Sequence, residues 1–385
     1  MSKILHIVTD EQFTDYAIRQ FSAPQMCSEF VLIPSNYEKW TVKSIDQCTI
    51  IKRNSQEFEA LLNRLGQYSG IVLHGMFWGS WQTPLLKRVP DHVKIAWVFW
   101  GGDLYARHEN EGRFYAPITG FLNKLHKRKG NSKQDVSWEI PLELYKLVDY
   151  CITSVDDEYD FAREFTQCSF PRIWYSYYSI EETIGTSLMD SRADGNNIWI
   201  GNSAAIANNH FDVLWHIWKS GALKRWRGNK VIMPLSYGEP WVRNTVKKVG
   251  RWLFGMKLQV LEQYIPRNEY NALMLSCSTM IIGYWEPAAN GNIMTALWLG
   301  MRVYLSEKSM AFAYYKRLGC VIFSIEHDLN RNNSDCFSRL SDEEWRQNRK
   351  ALTKEYGKQR TDQAVVDLVH LLTADNLLLK TKIYD

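Results

Sequence analysis

A chain of 385 residues, 45% hydrophobic and 23% charged, is globular in composition and long enough to divide into two hydrophobic cores. A net charge of only +4 argues against nucleic acid as a partner, and seven scattered cysteines without a CxxC pair argue against a disulfide frame or a zinc site. No apolar run approaches the roughly 18 residues of a membrane span, and the opening "MSKILHIVTDEQ" lacks the long apolar region of a signal peptide.

In chain order, the first half predicts strands at 3–8, 29–34, 70–75, 94–100 and 150–154, all short β-type runs. The stretch "EFEALLNRLG" between the second and third predicts a helix, with Gly66 as its C-terminal stop. Runs apolar on both faces and alternating with helices predict a parallel sheet covered on both sides. The strand "KIAWVFW" ends at "GGD", where glycines permit a sharp turn that aims Asp103 out of the strand end. Capping of the following helix is the plainer use of the same carboxylate.

Residues 180–197, rich in Gly, Ser, Asp and Asn, form the candidate linker. Beyond it, strands are predicted at 198–203, 230–236, 257–263, 279–285, 302–307 and 320–325. The helix after the first of these carries Phe211, Leu214, Trp215 and Trp218 as an apolar stripe. Two helices close the chain, "SDEEWRQNRKALTKEY" and "RTDQAVVDLVHLLTADNLLLK". The fold class that follows is α/β, with two Rossmann-like domains of about 1–180 and 181–385 whose ligands sit beyond the carboxyl ends of the strands.

Six segments keep one order along the chain: "LHGMF" (73–77), "WGGDLY" (100–105), "GNSAAIANNH" (201–210), "MPLSYG" (233–238), "NEYNALMLSC" (268–277) and "NGNIMTALWLG" (290–300). Together they resemble the bacterial TDP-Fuc4NAc:lipid II Fuc4NAc transferases, the 4-α-L-fucosyltransferase-type family of GT-B fold. That resemblance implies transfer of an amino-deoxy sugar from a dTDP-sugar to an undecaprenyl-diphosphate-linked saccharide in surface-polysaccharide synthesis. It also implies a cytoplasmic protein held peripherally on the inner membrane. Two positions depart from the family: Ala289 replaces the first glycine of the helix start, and Glu286 stands where an arginine is expected.

Such chemistry must neutralise a diphosphate leaving group. No Asp-x-Asp is present, and "VDDEYD" (155–160) reads as a solvated helix start, so no metal cofactor is expected. Helix starts and backbone amides are the alternative, since they present unpaired N–H groups and partial positive charge. Candidate donor-binding residues are Gly201, Asn202 and Ser203, then Tyr237, Tyr264 and Glu269, and the helix start Asn290, Gly291 and Asn292. In the first half, Asp103 and His74 are the candidate catalytic residues, Asp103 as base or acceptor anchor.

The segment 113–133 sets Phe114, Tyr115, Ile118, Phe121, Leu122 and Leu125 among Lys124, Lys127, Arg128, Lys129 and Lys133. An apolar face beside a basic cluster predicts contact with an anionic membrane surface. The stretch 239–257 has a similar look, with Val242, Val246, Val249 and Leu253 in one stripe, but its place between two strands favours sheet packing. Two other readings stay open: a GT-B enzyme using UDP- or GDP-sugars, or an epimerase, and a non-catalytic peripheral scaffold.

Overall fold

The computed structural model describes residues 3–23, 26–34, 40–76, 79–129 and 138–374. Phe77, Lys133, residues 375–385 and the side chain of Lys129 lie outside the described residues.

The chain divides into two compact units: Met1–Glu109 with Gln134–Tyr178 and Lys358–Asp385, and Asn110–Lys133 with Ser179–Gly357. The contiguous halves read from the sequence therefore need correction. The boundary near 180 falls between Tyr178 and Ser179, but residues 110–133 join the second unit and the last helix joins the first. The segment 180–197 is not a free linker: Ile180, Ile184, Leu188 and Ala193 are buried, and Ala193 N donates to Leu299 O.

The first unit holds a parallel sheet of β1 (Ile4–Val8), β2 (Ser28–Leu32), β3 (Cys48–Ile50), β4 (Gly70–His74), β5 (Lys94–Val98), β6 (Tyr150–Ile152) and β7 (Arg172–Ile173), in the order β3-β2-β1-β4-β5-β6-β7. The second holds β8 (Asn197–Ile200), β9 (Val231–Pro234), β10 (Leu258–Leu261), β11 (Cys277–Ile282), β12 (Arg302–Leu305) and β13 (Phe323–Ser324), in the order β10-β9-β8-β11-β12-β13. Both are Rossmann orders, with the reversal beside the first strand of each unit, where the strand-end crevice of such sheets lies. The edge strands β3 and β7 are half-buried or exposed and lack the continuous apolar run by which the others were read.

The helix Lys358–Thr373 shows why the chain returns to the first unit. Thr361, Ala364, Val365, Leu368, Val369 and Leu372 repeat at helical spacing and are buried, and Val365, Leu368, Val369 and Leu372 share one core with Ile4 and Val72. Each large apolar side chain so buried contributes about 1.5–3 kcal/mol. Gly70 lets the helix approach, since a Cβ there would lie 2.9 Å from that of Leu372. Lys94 Nζ donates to the carbonyls of Leu371 and Ala374, neutralising the helix's negative end.

Two local readings also change. The helix Gln56–Asn63 ends at Arg64, and Gly66 sits inside the short 3-10 turn that follows rather than stopping the helix. In the helix His210–Ser220 the buried side is Phe211, Val213, Leu214 and Ile217, while Trp215 and Trp218 face outward.

Candidate functional site

At the carboxyl ends of β4 and β5, Asp103 is buried one residue inside the short helix Gly102–Tyr105. Its Oδ2 accepts from Met76 N at 2.7 Å and from Trp97 Nε1 at 2.6 Å, and its Oδ1 accepts from Trp100 N at 3.1 Å. One carboxylate thereby ties the loop after β4 to β5 and to its turn. Burial pushes the carboxyl up to about 6 against the pull of these donors, so it is the anion at neutral pH. Neither sequence reading holds: the helix is capped by Gly101 without a side-chain bond, and the lone pairs of Asp103 face the protein.

His74, the last residue of β4, is buried in a chain of side chains. Trp100 Nε1 donates to Tyr177 Oη at 2.7 Å, and Tyr177 Oη lies 2.6 Å from His74 Nδ1. His74 Nε2 lies 3.1 Å from His6 Nδ1, and His6 Nε2 lies 3.2 Å from Ser28 Oγ. Indole donates only, so the assignment that leaves no hydrogen unpaired runs one way, with both imidazoles neutral and protonated at Nε2. Burial accounts for that neutrality, holding His74 down at about 3 and His6 well below its ordinary value. Tyr177 and the two histidines were joined by no sequence spacing that could have revealed them.

The strand ends of the second unit are built differently. Gly201 follows β8 at φ +71°, and a Cβ there would lie 2.2 Å from His210 Cε1, so the loop requires glycine. Asn202 Nδ2 donates to Tyr237 Oη at 3.2 Å while its Oδ1 accepts from Asn208 Nδ2 at 3.1 Å. Ser203 Oγ is buried 3.0 Å from Tyr284 Oη. Tyr237, past β9, and Tyr264, past β10, stand parallel within 6° with ring centres 6.2 Å apart, both exposed to solvent. The helix Arg267–Leu275 carries Glu269 outward and sends Tyr270 Oη to Asn292 Oδ1 at 3.0 Å.

The second helix start, Asn290–Trp298, includes Asn290, Gly291 and Asn292 in its first turn. Its N-cap is Ala289 at φ +60°, a left-handed conformation that costs an L-residue with a Cβ about 1–2 kcal/mol. A glycine at this position would carry no such cost. Glu286 has no hydrogen-bond or ion-pair partner among the described residues, and burial raises its carboxyl to about 7. Near neutrality much of it is protonated, which weakens the repulsion that its charge would offer a diphosphate.

Among the described residues, three buried acceptors near these loops lack any donor: Asn208 Oδ1, His210 Nδ1 and Asn290 Oδ1. His210 Nε2 is already committed to Ser203 O at 2.7 Å, and burial holds the ring at about 4, so Nδ1 keeps a bare lone pair. Such atoms call for donors from outside the chain, from water or from a hydroxyl-rich ligand.

The remaining sequence candidates lie on the helix Pro117–Lys129. Ile118 and Leu122 pack against the second unit's core, Phe121 is 61% exposed, and Lys124, Lys127 and Arg128 face solvent. Lys127 is paired with Glu111 at 2.5 Å. The helix is anchored by Asp212, whose carboxylate accepts from Ile118 N and Thr119 N at 2.8 Å each. Among the described residues, His108, Glu109 and Glu139 have the spacing of metal ligands, but both carboxylates already pair with Arg107, at 3.0 and 3.2 Å. No described helix is long and apolar enough to cross a membrane.

No protein-family model and no curated protein sequence matches the chain. Solved structures do. A glycosyltransferase from Rickettsia africae ESF-5 is 11% identical, with a TM-score of 0.64 over 96% of this chain and 98% of that one. Anabaena Alr3699/HepE, solved with UDP and glucose, is 10% identical, with a TM-score of 0.63 over 96% and 100%. The N-terminal domain of Candida albicans trehalose-6-phosphate phosphatase is 10% identical, with a TM-score of 0.63 over 98% and 97%. With two parallel Rossmann-type sheets of seven and six strands, the chain has the GT-B fold of the glycosyltransferases.

Proposed function

We propose that the chain is a glycosyltransferase that takes a nucleoside-diphosphate sugar at the strand ends of its second unit. The carrying observation is the group formed there by the Gly201 loop, the Asn290 helix start and the parallel pair Tyr237 and Tyr264. Gly201, whose own N–H is committed to Ile281 O, would let the diphosphate approach closely, and the backbone N–H groups of Asn202 and of the first turn at Asn290, Gly291 and Asn292 would meet it. Tyr237 and Tyr264 would hold the base by ring stacking, and the unpaired acceptors would take hydroxyls of ribose or sugar. In transfer, an acceptor hydroxyl oxygen bonds to the anomeric carbon as its bond to the diphosphate breaks, and the hydroxyl proton leaves to a base. We read the donor as a dTDP-linked amino-deoxy sugar such as Fuc4NAc, and the acceptor as a lipid-linked saccharide on the cytoplasmic face of the inner membrane. Phe121, Lys124, Lys127 and Arg128 would then face lipid.

Asp103 and His74 are better read as positioning residues in the first unit than as base and ligand contact, because their polar atoms are already engaged. Leaving-group stabilisation by amides in place of a metal is part of the same proposal.

Titration with dTDP, UDP and GDP, followed by melting temperature, tests the donor. The expected order puts dTDP first. A larger shift with UDP would favour the second reading, a UDP-sugar enzyme, which has the UDP complex of the Anabaena neighbour behind it. No shift with any of the three overturns the nucleotide-sugar reading. Tyr264→Ala is expected to weaken nucleotide binding roughly fivefold, about 1 kcal/mol, with the melting temperature of the free protein unchanged. Activity with lipid-linked acceptor is expected to survive a chelator, and loss that magnesium restores would remove the amide mechanism.

A further inference from the structure

Between Trp215 and Lys257 the sequence carries ten lysines and arginines and one acidic residue, Glu239. The remainder holds 36 of the 46 basic residues but 41 of the 42 acidic ones, so the positive balance of the whole chain resides in this one stretch. Its basic residues lie chiefly on and beside two helices of the second unit, His210–Ser220 and Pro240–Phe254, which pack against each other.

The inner faces of both helices are accounted for by Leu214 and Ile217 on one and Val242 and Val246 on the other. Their outer faces are unusual. Trp215, Trp218 and Lys219, at i, i+3 and i+4, point outward from the first helix, and Lys248 and Trp252, at i and i+4, from the second. The three indoles are 48%, 47% and 71% exposed, and Met256, one turn beyond Trp252, is fully exposed. Ring centres of Trp215 and Trp218 are 4.9 Å apart, and those of Trp218 and Trp252 6.2 Å, so the two helices share one row of indoles. Among the described residues Lys219 and Lys248 have no ion pair or hydrogen bond. The helix Pro117–Lys129 adjoins, with His126 stacked on Trp241 at 4.5 Å.

We propose that this face docks the protein onto an anionic phospholipid bilayer. Indoles favour the headgroup layer, where the ring is half-dehydrated and its N–H stays bonded, and Met256 would enter the acyl boundary. Lys219, Lys248 and Arg251 would meet lipid phosphates, whose charge complements the stretch. A second copy fits poorly, because two such faces would set like charges against each other. Outward helix crests tipped with a thioether suit shallow insertion better than the stacking of bases along a groove. The docking deepens the membrane location proposed above and assigns it chiefly to this tryptophan row.

Co-sedimentation of the full chain with phosphatidylcholine vesicles, with and without phosphatidylglycerol, tests it. The chain is expected to pellet only with the anionic vesicles and to be released by salt. The double variant Trp218→Ser, Trp252→Ser should lose about tenfold or more in vesicle affinity, as should Lys219→Glu with Lys248→Glu, with circular dichroism and melting unchanged. Brominated lipid should quench the wild type more than Trp252→Phe. Failure to pellet with anionic vesicles, or equal pelleting by the variants, overturns the proposal. So does a dimer in sedimentation velocity that these variants dissolve without affecting pelleting, or retention of a single-stranded oligonucleotide by this face in place of vesicles. No nucleotide or sugar enters the assay, so its failure and a failed nucleotide titration are separate results.

Discussion

At the carboxyl ends of β4 and β5, Asp103 and His74 have both oxygens and both ring nitrogens engaged by other residues of the protein. At the carboxyl ends of β8 and β11, Asn208 Oδ1, His210 Nδ1 and Asn290 Oδ1 are buried without a donor among the described residues, and past β9 and β10 Tyr237 and Tyr264 are exposed to solvent. The two regions share a topology and a Gly-rich turn past the strand. What separates them is polar satisfaction. A saturated cluster fixes the backbone, because each engaged atom would cost free energy if released; an unsaturated one leaves partners for a ligand to supply.

Removing Asp103 tests the saturated side most severely. Asp103→Ala leaves two buried N–H donors and one part-buried donor unpaired and is expected to destabilise the protein by about 3–5 kcal/mol in urea unfolding. A loss near zero would mean that the carboxylate does not tie these segments and would restore it as a candidate base.

Acidification probes the same side through His74. The folded imidazole sits at about 3 against 6.5 when unfolded, so between these values the unfolded chain binds protons that the folded chain does not. Its stability contribution is complete above pH 6.5 and declines as pH falls from there toward 3, at about 1.4 kcal/mol per pH unit at most. His210, at about 4, acts in the same direction. Asp103 and Glu286 act oppositely: at about 6 and about 7, against 3.8 and 4.5, their burial penalty is absent at low pH and complete above 7. His74→Gln should flatten the acid limb of stability against pH, and an unchanged limb would refute the neutral relay.

On the unsaturated side, Gly201→Ala adds a Cβ at φ +71° against His210. The expected cost is about 1–3 kcal/mol of stability, together with loss of nucleotide binding. Stability and binding both intact would show that the loop does not require glycine. The smallest effect is a gain. Ala289→Gly relieves the left-handed N-cap and should add about 1 kcal/mol, read as a higher urea midpoint.

Much of the architecture was legible because strand periodicity is a local signal. The runs that became β1, β2, β4, β5 and β6, and β8 through β13, were visible, and their alternation with helices implied parallel sheets. Segment exchange was not visible. Ile118 and Leu122 carry the same apolar signal whichever core receives them, and only packing against the second core assigns them there. Glycine spacing found the Gly201 loop and the Asn290 helix start. Apolar spacing misjudged Trp215 and Trp218, which with Phe211 and Leu214 fall at i, i+3, i+4 and i+7 like a core stripe although both rings point outward. A helix has one inner face, and hydrophobicity alone does not say where that face ends.

The amino-acid order by itself determined two α/β sheets, the glycines at their strand ends and a basic stretch rich in tryptophan, because each depends on residues near one another in the chain. Tertiary structure alone decided that His6, His74, Tyr177 and Trp100 share protons in one line, and that Asp103 faces inward. It also decided that the tryptophans of two separate helices meet in one exposed row. Hydrogen bonding and burial are relations between distant residues, fixed only when the chain has chosen which faces to cover.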